Sequence, residues 1–409
     1  MTLDEAAALD AADPLAPCRT RFQLPPGLIY LDGNSLGALP SATAGHLADV
    51  VTRQWGGDLI GSWNKHGWID APVRIAAKIA PLIGARENEV ILADSTSICL
   101  FKALSAAIAA NPSRSTILVQ ADDFPTDHYV AQGLVHLLPR LRLRTVAPNC
   151  IAESVDEDTA VILLSQVDYR SSARHDMRPI NQAAQRKGAL TLWDLSHSAG
   201  AIAVDCGGDE CDLAVGCGYK YLNGGPGAPA FVFAAERLHA QLHSPLPGWM
   251  GHDEPFSFLA DFSPARGMSQ FLTGTPSILA LAALESGIDT FSGVSMGAIE
   301  VKSRRLSQLF VELVEEQCSG QDLRLVSPRE PERRGSHVSF AHDEGFAIMQ
   351  ALIARQVVGD YRAPDVIRFG FAPLYNSFED IVTAATILAE ILQRREWDQP
   401  RFRERARVT

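Results

Sequence analysis

The sequence lacks several features that would assign it to a common class of protein. Among its 409 residues no apolar run approaches the ~18 residues that a membrane-spanning helix needs. The first 30 residues carry four acidic side chains and show no signal-peptide pattern. Basic residues number 36 against 48 acidic ones, and a net charge of −12 does not favour nucleic acid as a partner. We therefore expect a globular cytoplasmic protein that binds neither membranes nor nucleic acid.

Cysteine is also scarce, with seven residues, an odd number, and no CxxC spacing. This pattern argues against a disulfide framework. Cys206, Cys211 and Cys217 come closest to a cluster, but the segments around them have the patterns of strands and loops. We expect buried free thiols in a reducing compartment and no metal site.

Short apolar runs alternate with helical patterns in the middle of the chain. Continuous apolar strands separated by helices are typical of a mostly parallel sheet covered on both faces, and so of an α/β fold. The predicted strands are 89–93, 116–120, 142–147, 160–165, 189–193, 212–217 and 228–233, and the predicted helices between them are 97–110, 126–138 and 179–188.

The pattern changes after Pro276, where long helices come first and strands then alternate with helices. This order predicts a smaller α+β domain. We expect an N-terminal arm over 1–50, a large domain over 51–276 and a small domain over 277–409. The predicted helices are 277–290, 294–317, 344–355 and 377–394, and the predicted strands are 321–326, 336–341 and 365–371.

Asp194 and Lys220 each follow one of the apolar runs of the middle segment. A lysine can hold an aldehyde as a Schiff base, and a carboxylate can keep a pyridine nitrogen protonated, which are the two groups that pyridoxal phosphate (PLP) requires. The ordinary interpretation is that Asp194 caps a helix and that Lys220 is a solvated surface residue. A long cationic side chain directly after a buried strand has little structural purpose, and this favours the cofactor.

Other polar or aromatic side chains follow the same strands, where the carboxyl ends of a parallel sheet form one crevice. Hydroxyls at a helix start suit a phosphate, and an aromatic side chain can stack on a cofactor ring. Capping and ordinary turns explain each position equally well when it is taken alone. The residues are Thr96, Ser97, Phe124, Asp127, Ser165, His197 and Tyr219, with Trp249 in a later Gly/Pro loop.

Three further motifs suggest substrate binding. The tight turn GNSLG carries Asn34 and Ser35, and Gly274 and Thr275 precede a predicted helix, where capping is the alternative. Arg368 lies inside an apolar strand, and a buried arginine needs a carboxylate, which either the protein or the substrate can supply.

Six stretches occur in the order of a known family, from residue 31 to residue 378: LDGNSLG, FPTDHY, WDLSHSAGA, GCGYKYLNGGPG, PGWMGH and PLYNSF. Together they resemble kynureninases, PLP-dependent hydrolases of the aspartate-aminotransferase fold (fold type I). The resemblance covers most of the chain. It implies a mostly parallel seven-stranded sheet and a smaller C-terminal domain. It also implies hydrolysis of the Cβ–Cγ bond of L-kynurenine or 3-hydroxykynurenine to an anthranilate and L-alanine, in tryptophan catabolism or NAD biosynthesis.

The resemblance assigns roles residue by residue. Lys220 takes the position of the Schiff-base lysine, Asp194 that of the pyridinium partner and Phe124 that of the stacking ring, and Tyr219 is a candidate for proton transfer. Arg368 matches the residue for the substrate carboxylate. The remaining cofactor contacts fall on Thr96, Ser97, Asp127, Ser165, His197, Tyr219, Trp249 and Thr275, and the remaining expected substrate contacts are Asn34, Ser35, Trp63 and Gly274.

Thr275 and the tryptophan-rich loop IGSWNKHGW are more similar to bacterial than to vertebrate kynureninases, and this favours kynurenine over its 3-hydroxy form. The fold type implies a homodimer with shared active sites. The alternatives are another lyase of this fold, such as a cysteine desulfurase, and a PLP-fold protein that binds without catalysis. A desulfurase needs a mobile nucleophilic cysteine, which no loop here offers.

Overall fold

Residues 1–404 are described by a computed structural model. The helices are α1 Leu3–Ala11, α2 Thr43–Asp49, α3 Ser62–Lys65, α4 Ala71–Ile79, α5 Thr96–Ala110, α6 Pro125–Leu137, α7 Met177–Lys187, α8 Ile278–Asp289, α9 Met296–Gln317, α10 Gly345–Ala354 and α11 Phe378–Gln393. The strands are β1 Phe22–Gln23, β2 Ile29–Tyr30, β3 Leu39–Pro40, β4 Val90–Ala93, β5 Thr116–Gln120, β6 Arg142–Val146, β7 Thr159–Ser165, β8 Leu190–Asp194, β9 Leu213–Gly216, β10 Ala230–Ala234, β11 Arg324–Leu325, β12 His337–Ala341, β13 Val357–Val358, β14 Asp360–Arg362 and β15 Val366–Gly370.

Seven strands form the main sheet, in the order β4-β10-β9-β8-β7-β5-β6. Strand β10 runs antiparallel to both of its neighbours, and the other pairs are parallel. The prediction of a mostly parallel sheet is therefore confirmed. Its central strands are apolar throughout because helices cover both faces and leave no side of a strand in water. This arrangement brings the carboxyl ends of six strands, all except β10, to one edge.

A second, four-stranded antiparallel sheet has the order β11-β12-β15-β14. Helices α9 and α11 pack against each other, and the ring of Phe310 on α9 lies 4.7 Å from that of Phe369 on β15. Strand β11 is shorter than the predicted 321–326, because the backbone turns at Gly320 and Asp322, which both have positive φ.

The N-terminal segment joins this second layer. Strand β2 pairs in parallel with β13, and Asp32 forms a bridge to Gly370 at the end of β15. The turn that follows β2 is thereby carried toward the main sheet. The division into an arm, a large domain and a small domain stays a prediction, and residues 405–409 of the expected small domain lie outside the described residues.

Two further findings concern the apolar character of the helices and the state of the cysteines. Over residues 1–404, none of the helices has the length and apolar character that crossing a membrane requires. All seven cysteines are free, and Cys206, Cys211 and Cys217 are buried, as expected.

Candidate active site

A cavity of about 190 Å³ opens at the edge of the main sheet where β4, β5, β7, β8 and β9 end. A cavity of about 150 Å³ already accepts benzene, so this one has room for a small substituted aromatic ring. Nine of the residues predicted to contact the cofactor line it, namely Thr96, Ser97, Phe124, Asp127, Ser165, Asp194, His197, Tyr219 and Lys220. The parallel strands thus bring together residues that are up to 124 positions apart, from 96 to 220.

Lys220 lies in the turn after β9 and extends its amine into the cavity. Its Nζ is 2.9 Å from His197 Nε2 and 5.9 Å from the centre of the Phe124 ring. The backbone of this turn is held by the GNSLG motif, because the amide of Gly37 donates a 2.8 Å hydrogen bond to the carbonyl of Tyr219. The approach is so close that a Cβ at Gly37 would lie 2.3 Å from the Lys220 carbonyl oxygen.

Asp194 is the last residue of β8 and is buried at the floor of the cavity. Its Oδ1 accepts a 2.7 Å hydrogen bond from the amide of Ser196. Burial raises the pKa of Asp194, while the hydrogen bond to Ser196 and the charge of Lys220 oppose that shift. A further cation beside this carboxylate would stabilise its ionised form.

Two more carboxylates lie near Asp194. Burial raises the pKa of Asp127 well above its usual range, and the charges of Asp194 and Asp123 add to the shift. Its Oδ2 is buried and has no hydrogen-bond partner among the described residues. Asp123 was not predicted from the sequence; it accepts the amides of Phe124 at 2.7 Å and Ser165 at 2.9 Å and so orients both. Its position in the short turn between β5 and α6, two residues before the helix begins at Pro125, was the available signal.

His197 is buried between Lys220 and a second histidine. Its ring centre lies 5.3 Å from that of His337, which begins β12 in the second sheet. Burial lowers the pKa of His197 well below its usual range, and the charge of Lys220 lowers it further. The imidazole is therefore neutral at physiological pH and contributes a polar but uncharged wall.

The other end of the cavity is formed by the N-terminus of the 15-residue helix α5. Its N-cap residue, Ser95, makes no side-chain capping hydrogen bond, so the amides of the first turn keep their donors free. The hydroxyls of Thr96 and Ser97 lie beside them in the cavity lining. Free helix amides together with hydroxyls are a typical binding site for a phosphate group.

These features fit PLP, and the fit rests on the chain's own groups. The cavity offers an amine, buried carboxylates that a positive ring nitrogen would stabilise, and free helix amides for a phosphate. Phe124 is 37% exposed at its rim, where an aromatic cofactor could contact it.

Tyr169 is a cavity residue that the sequence analysis missed. Its ring meets that of Phe124 edge to face, with centres 5.3 Å apart. Its carbonyl accepts a hydrogen bond from Arg368 Nη1. The signal for it was weak, because an aromatic residue in the loop after a strand is more often a packing residue. Tyr169 links the cavity to the second sheet.

Arg368 has a carboxylate partner within the chain. Its guanidinium is 1% exposed and binds Asp360 on the neighbouring strand, with Nε 2.7 Å from Oδ1. Ser35 of the GNSLG turn donates to the same aspartate at 2.5 Å. The hydrogen bonds from Arg368 and the charges of Arg368 and Arg362 lower the pKa of Asp360 to about 2, although burial opposes them. The role of Arg368 toward a substrate stays a prediction.

The other predicted residues lie outside the cavity lining of this chain. Asn34 is fully buried and packs against the backbone of Gly370. A Cβ atom added at Gly370 would lie 1.8 Å from Asn34 Oδ1. Gly274 and Thr275 line a separate cavity of about 280 Å³ that includes Asp94 and Ser95. The ring of Trp249 contacts Phe256, and that of Trp63 contacts Trp68.

In sequence, the chain is similar to kynureninases. A family model described as the kynureninase C-terminal domain matches residues 299–388. Over 414 residues the chain is 47% identical to a kynureninase of Pseudomonas fluorescens and 48% identical to that of Burkholderia mallei (strain SAVP1), with 100% of both chains covered in each case.

Solved structures share the fold at much lower identity. The cysteine desulfurase CsdA from Escherichia coli has a TM-score of 0.76 at 15% identity, over 93% of this chain and 98% of its own. A C-DES mutant with glycine covalently linked to its PLP cofactor has a TM-score of 0.79 at 15% identity, over 91% of this chain and 99% of its own. Sequence identities this low show that the fold is shared and nothing about the reaction.

Proposed function

The chain belongs to the kynureninase family, and on that premise we propose which of its residues carry the reaction. It is a PLP-dependent hydrolase that cleaves the carbon–carbon bond of L-kynurenine, yielding anthranilate and L-alanine. The observation that carries the residue assignments is the single cavity in which Lys220, Asp194 and the first turn of α5 meet.

The cofactor would be held at three places. Lys220 would bind its aldehyde carbon, Asp194 its ring nitrogen, and the α5 amides with Thr96 and Ser97 its phosphate. When bound, PLP supplies an electron sink that stabilises negative charge next to the substrate's amino group.

The chain's own groups would move the protons. The Nζ of Lys220 is the amine that lines the cavity, and it would take a proton from the α-carbon of the substrate. Burial raises the pKa of Tyr219, so its phenol keeps its proton and would donate it near the bond that breaks. Because His197 is neutral, it would not place a second positive charge next to the Lys220 amine.

The cavity does not favour the desulfurase alternative, although the solved structures share the fold. The residues that line it include no cysteine, and Cys217, the closest in sequence to Lys220, is buried with its Sγ 3.8 Å from the carbonyl of Ser196. A nucleophilic sulfur would have to reach the substrate from elsewhere.

We also propose a homodimer in a reducing, cytoplasmic compartment. Support comes from Trp249, Thr275 and Trp63, which are predicted active-site residues but lie outside the cavity lining of this chain. An exposed apolar surface lies on the irregular helix Val50–Asp58 and the turn after it, with Val51, Trp55, Leu59 and Ile60 between 41% and 81% exposed. The seven free cysteines support the compartment.

The decisive experiment is turnover by the PLP-loaded enzyme. Incubation with L-kynurenine should release fluorescent anthranilate and L-alanine in equal amounts, whereas incubation with L-cysteine should release no sulfide. Sulfide release without anthranilate would contradict the proposal. Measurable PLP binding without release of anthranilate or sulfide would indicate a binding protein without catalytic activity. Parallel reactions with 3-hydroxykynurenine would show which ring substituent the enzyme prefers.

A further inference from the structure

We propose that Arg362 is a second substrate-binding residue, whose guanidinium receives the α-carboxylate of the amino-acid substrate beside Arg368. This inference rests on the proposed function, which places an α-amino acid in the cavity. It adds a residue that the sequence analysis did not single out.

Most of the hydrogen-bond donors of Arg368 are already used within the protein. An arginine has five N–H donors, and four hydrogen bonds already run from this guanidinium to protein acceptors. Two go to Asp360, one to the Tyr169 carbonyl and one to Ser35 at 3.3 Å. With its side chain 1% exposed, Arg368 cannot present a free pair of donors to a ligand in this arrangement.

Arg362 is the more available of the two arginines. Its side chain is 37% exposed. Its Nη2 forms an ion pair with Asp360 at 2.8 Å and donates a hydrogen bond to Ser35 at 3.3 Å, and its Nη1 donates a long hydrogen bond to the Tyr361 carbonyl at 3.4 Å. Its Nε and one donor on Nη1 have no acceptor among the described residues. A guanidinium with such donors on its exposed side suits a carboxylate.

Contacts connect the guanidinium to the cavity, because Arg362 and Arg368 both lie 3.3 Å from Ser35 Oγ and Arg368 donates to the carbonyl of Tyr169, a residue that lines the cavity. The positive charge of Arg362 lowers the pKa of His197 and opposes the rise in the pKa of Tyr219, and both residues line the cavity. Ser35, which both arginines contact, belongs to the same turn that holds the Lys220 backbone through Gly37. Lys220 and the two arginines are thereby connected through one short turn, residues 35–37.

The charge of the cluster favours an anion. Arg362 and Arg368 carry two positive charges, and Asp360, with a pKa of about 2, supplies one negative charge. Asp32 has a pKa raised to about 7, first by burial and then by the charge of Asp360, so it is largely protonated below neutral pH. The four side chains then hold one uncompensated positive charge in a partly buried place, which a substrate carboxylate would neutralise.

The test compares ligands with and without the carboxylate. The PLP-loaded wild type, Arg362→Gln and Arg362→Lys are assayed with L-kynurenine, and kynuramine, which is kynurenine without its α-carboxylate, serves as a competitive inhibitor. We expect Arg362→Gln to raise KM about tenfold or more with kcat changed less than about threefold, and to leave the Ki of kynuramine unchanged. Arg362→Lys should retain part of the affinity. Calorimetric titration with L-alanine should show the same order of affinities without turnover.

Arg324→Gln is the matched control. Arg324 is on β11, at the opposite edge of the same sheet from Arg362, and its side chain is 67% exposed, so the charge change is equal and the site is distant. An unchanged KM in Arg362→Gln, or an equal loss of affinity for kynuramine, would overturn the proposal. Absence of anthranilate from the wild type would instead overturn the proposed function.

Discussion

The amide of Gly37 donates to the carbonyl of Tyr219, 2.8 Å away, and Gly37 lies against the backbone of Lys220 without room for a side chain. The N-terminal turn thus acts on the lysine through its backbone. GNSLG was interpreted from the sequence as a ligand-binding turn, and the structure adds this supporting role. The second glycine of the motif is required by the close approach of two chain segments 182 residues apart, from 37 to 219.

A methyl group at Gly37 should therefore disturb the lysine. In Gly37→Ala the Cβ would be 2.3 Å from the Lys220 carbonyl and 2.7 Å from Asn223 Cα, so the backbone must shift. We expect a loss of about 1–3 kcal/mol in the free energy of unfolding and weaker PLP binding. Gly45→Ala, in helix α2 with no atom within 4 Å, is the control and should be neutral or slightly stabilising. Urea denaturation measures the free energy of unfolding, and titration with PLP measures the affinity for the cofactor. Equal values for Gly37→Ala and Gly45→Ala would contradict the predicted clash.

Replacement of Lys220 should abolish covalent cofactor attachment while the fold remains. Lys220→Ala removes the amine that lines the cavity and leaves its walls in place. After borohydride reduction the wild type should gain the mass of one cofactor per chain, and the variant should gain none. Turnover should fall on the order of 10²–10⁴-fold or more. Lys187→Ala, an exposed lysine paired with Glu157, should behave as the wild type. Retained labelling in Lys220→Ala would place the attachment elsewhere.

The stability of the protein should depend on the protonation of Asp32. Its pKa is raised from 3.8 to about 7, so the folded state holds a proton that the unfolded state releases near pH 4. The stabilisation from this proton is fully present below about pH 4 and is lost as the pH rises through about 7. Asp32→Asn mimics the protonated form, and it should gain stability relative to the wild type between pH 5 and pH 8.

Urea denaturation at both pH values measures that difference. Asp343→Asn, at an exposed position, is the control, and it should show a constant difference from the wild type. A constant difference for Asp32→Asn as well would show that Asp32 ionises normally.

Shared active sites should be visible by mixing defective subunits. If Thr275 acts at the partner's cavity, Thr275→Trp and Lys220→Ala homodimers are both inactive, but a mixed dimer contains one site with neither defect. Mixing the two after reversible dissociation should restore activity toward a quarter of the wild-type value, because half of the randomly formed dimers are mixed and each has one intact site. No recovery, although mixed dimers are detected by mass spectrometry, would place both residues in the same site.

Much of the main sheet was predictable because each element carries its own signal. β5 was predicted to the residue, and the other six strands of this sheet to within two residues, since continuous apolar runs bounded by polar residues are local features. The short pairings β2 with β13 and β1 with β3 were not predicted, because two-residue strands have no period to detect. They form only where the rest of the fold brings their backbones together.

The sequence by itself determined the order of the strands along the chain, because each strand is a local pattern of residue types, and its six motifs indicated the family through their resemblance to kynureninases. Only the tertiary structure decided that Arg368 is bound by Asp360, that Tyr169 and Asp123 belong to the cavity, and that Trp249 and Thr275 lie outside it. Which side chains contact each other, and at what distance, depends on contacts between segments far apart in the chain. Burial in these contacts also changes the charge that each group carries. Such information is absent from any local pattern.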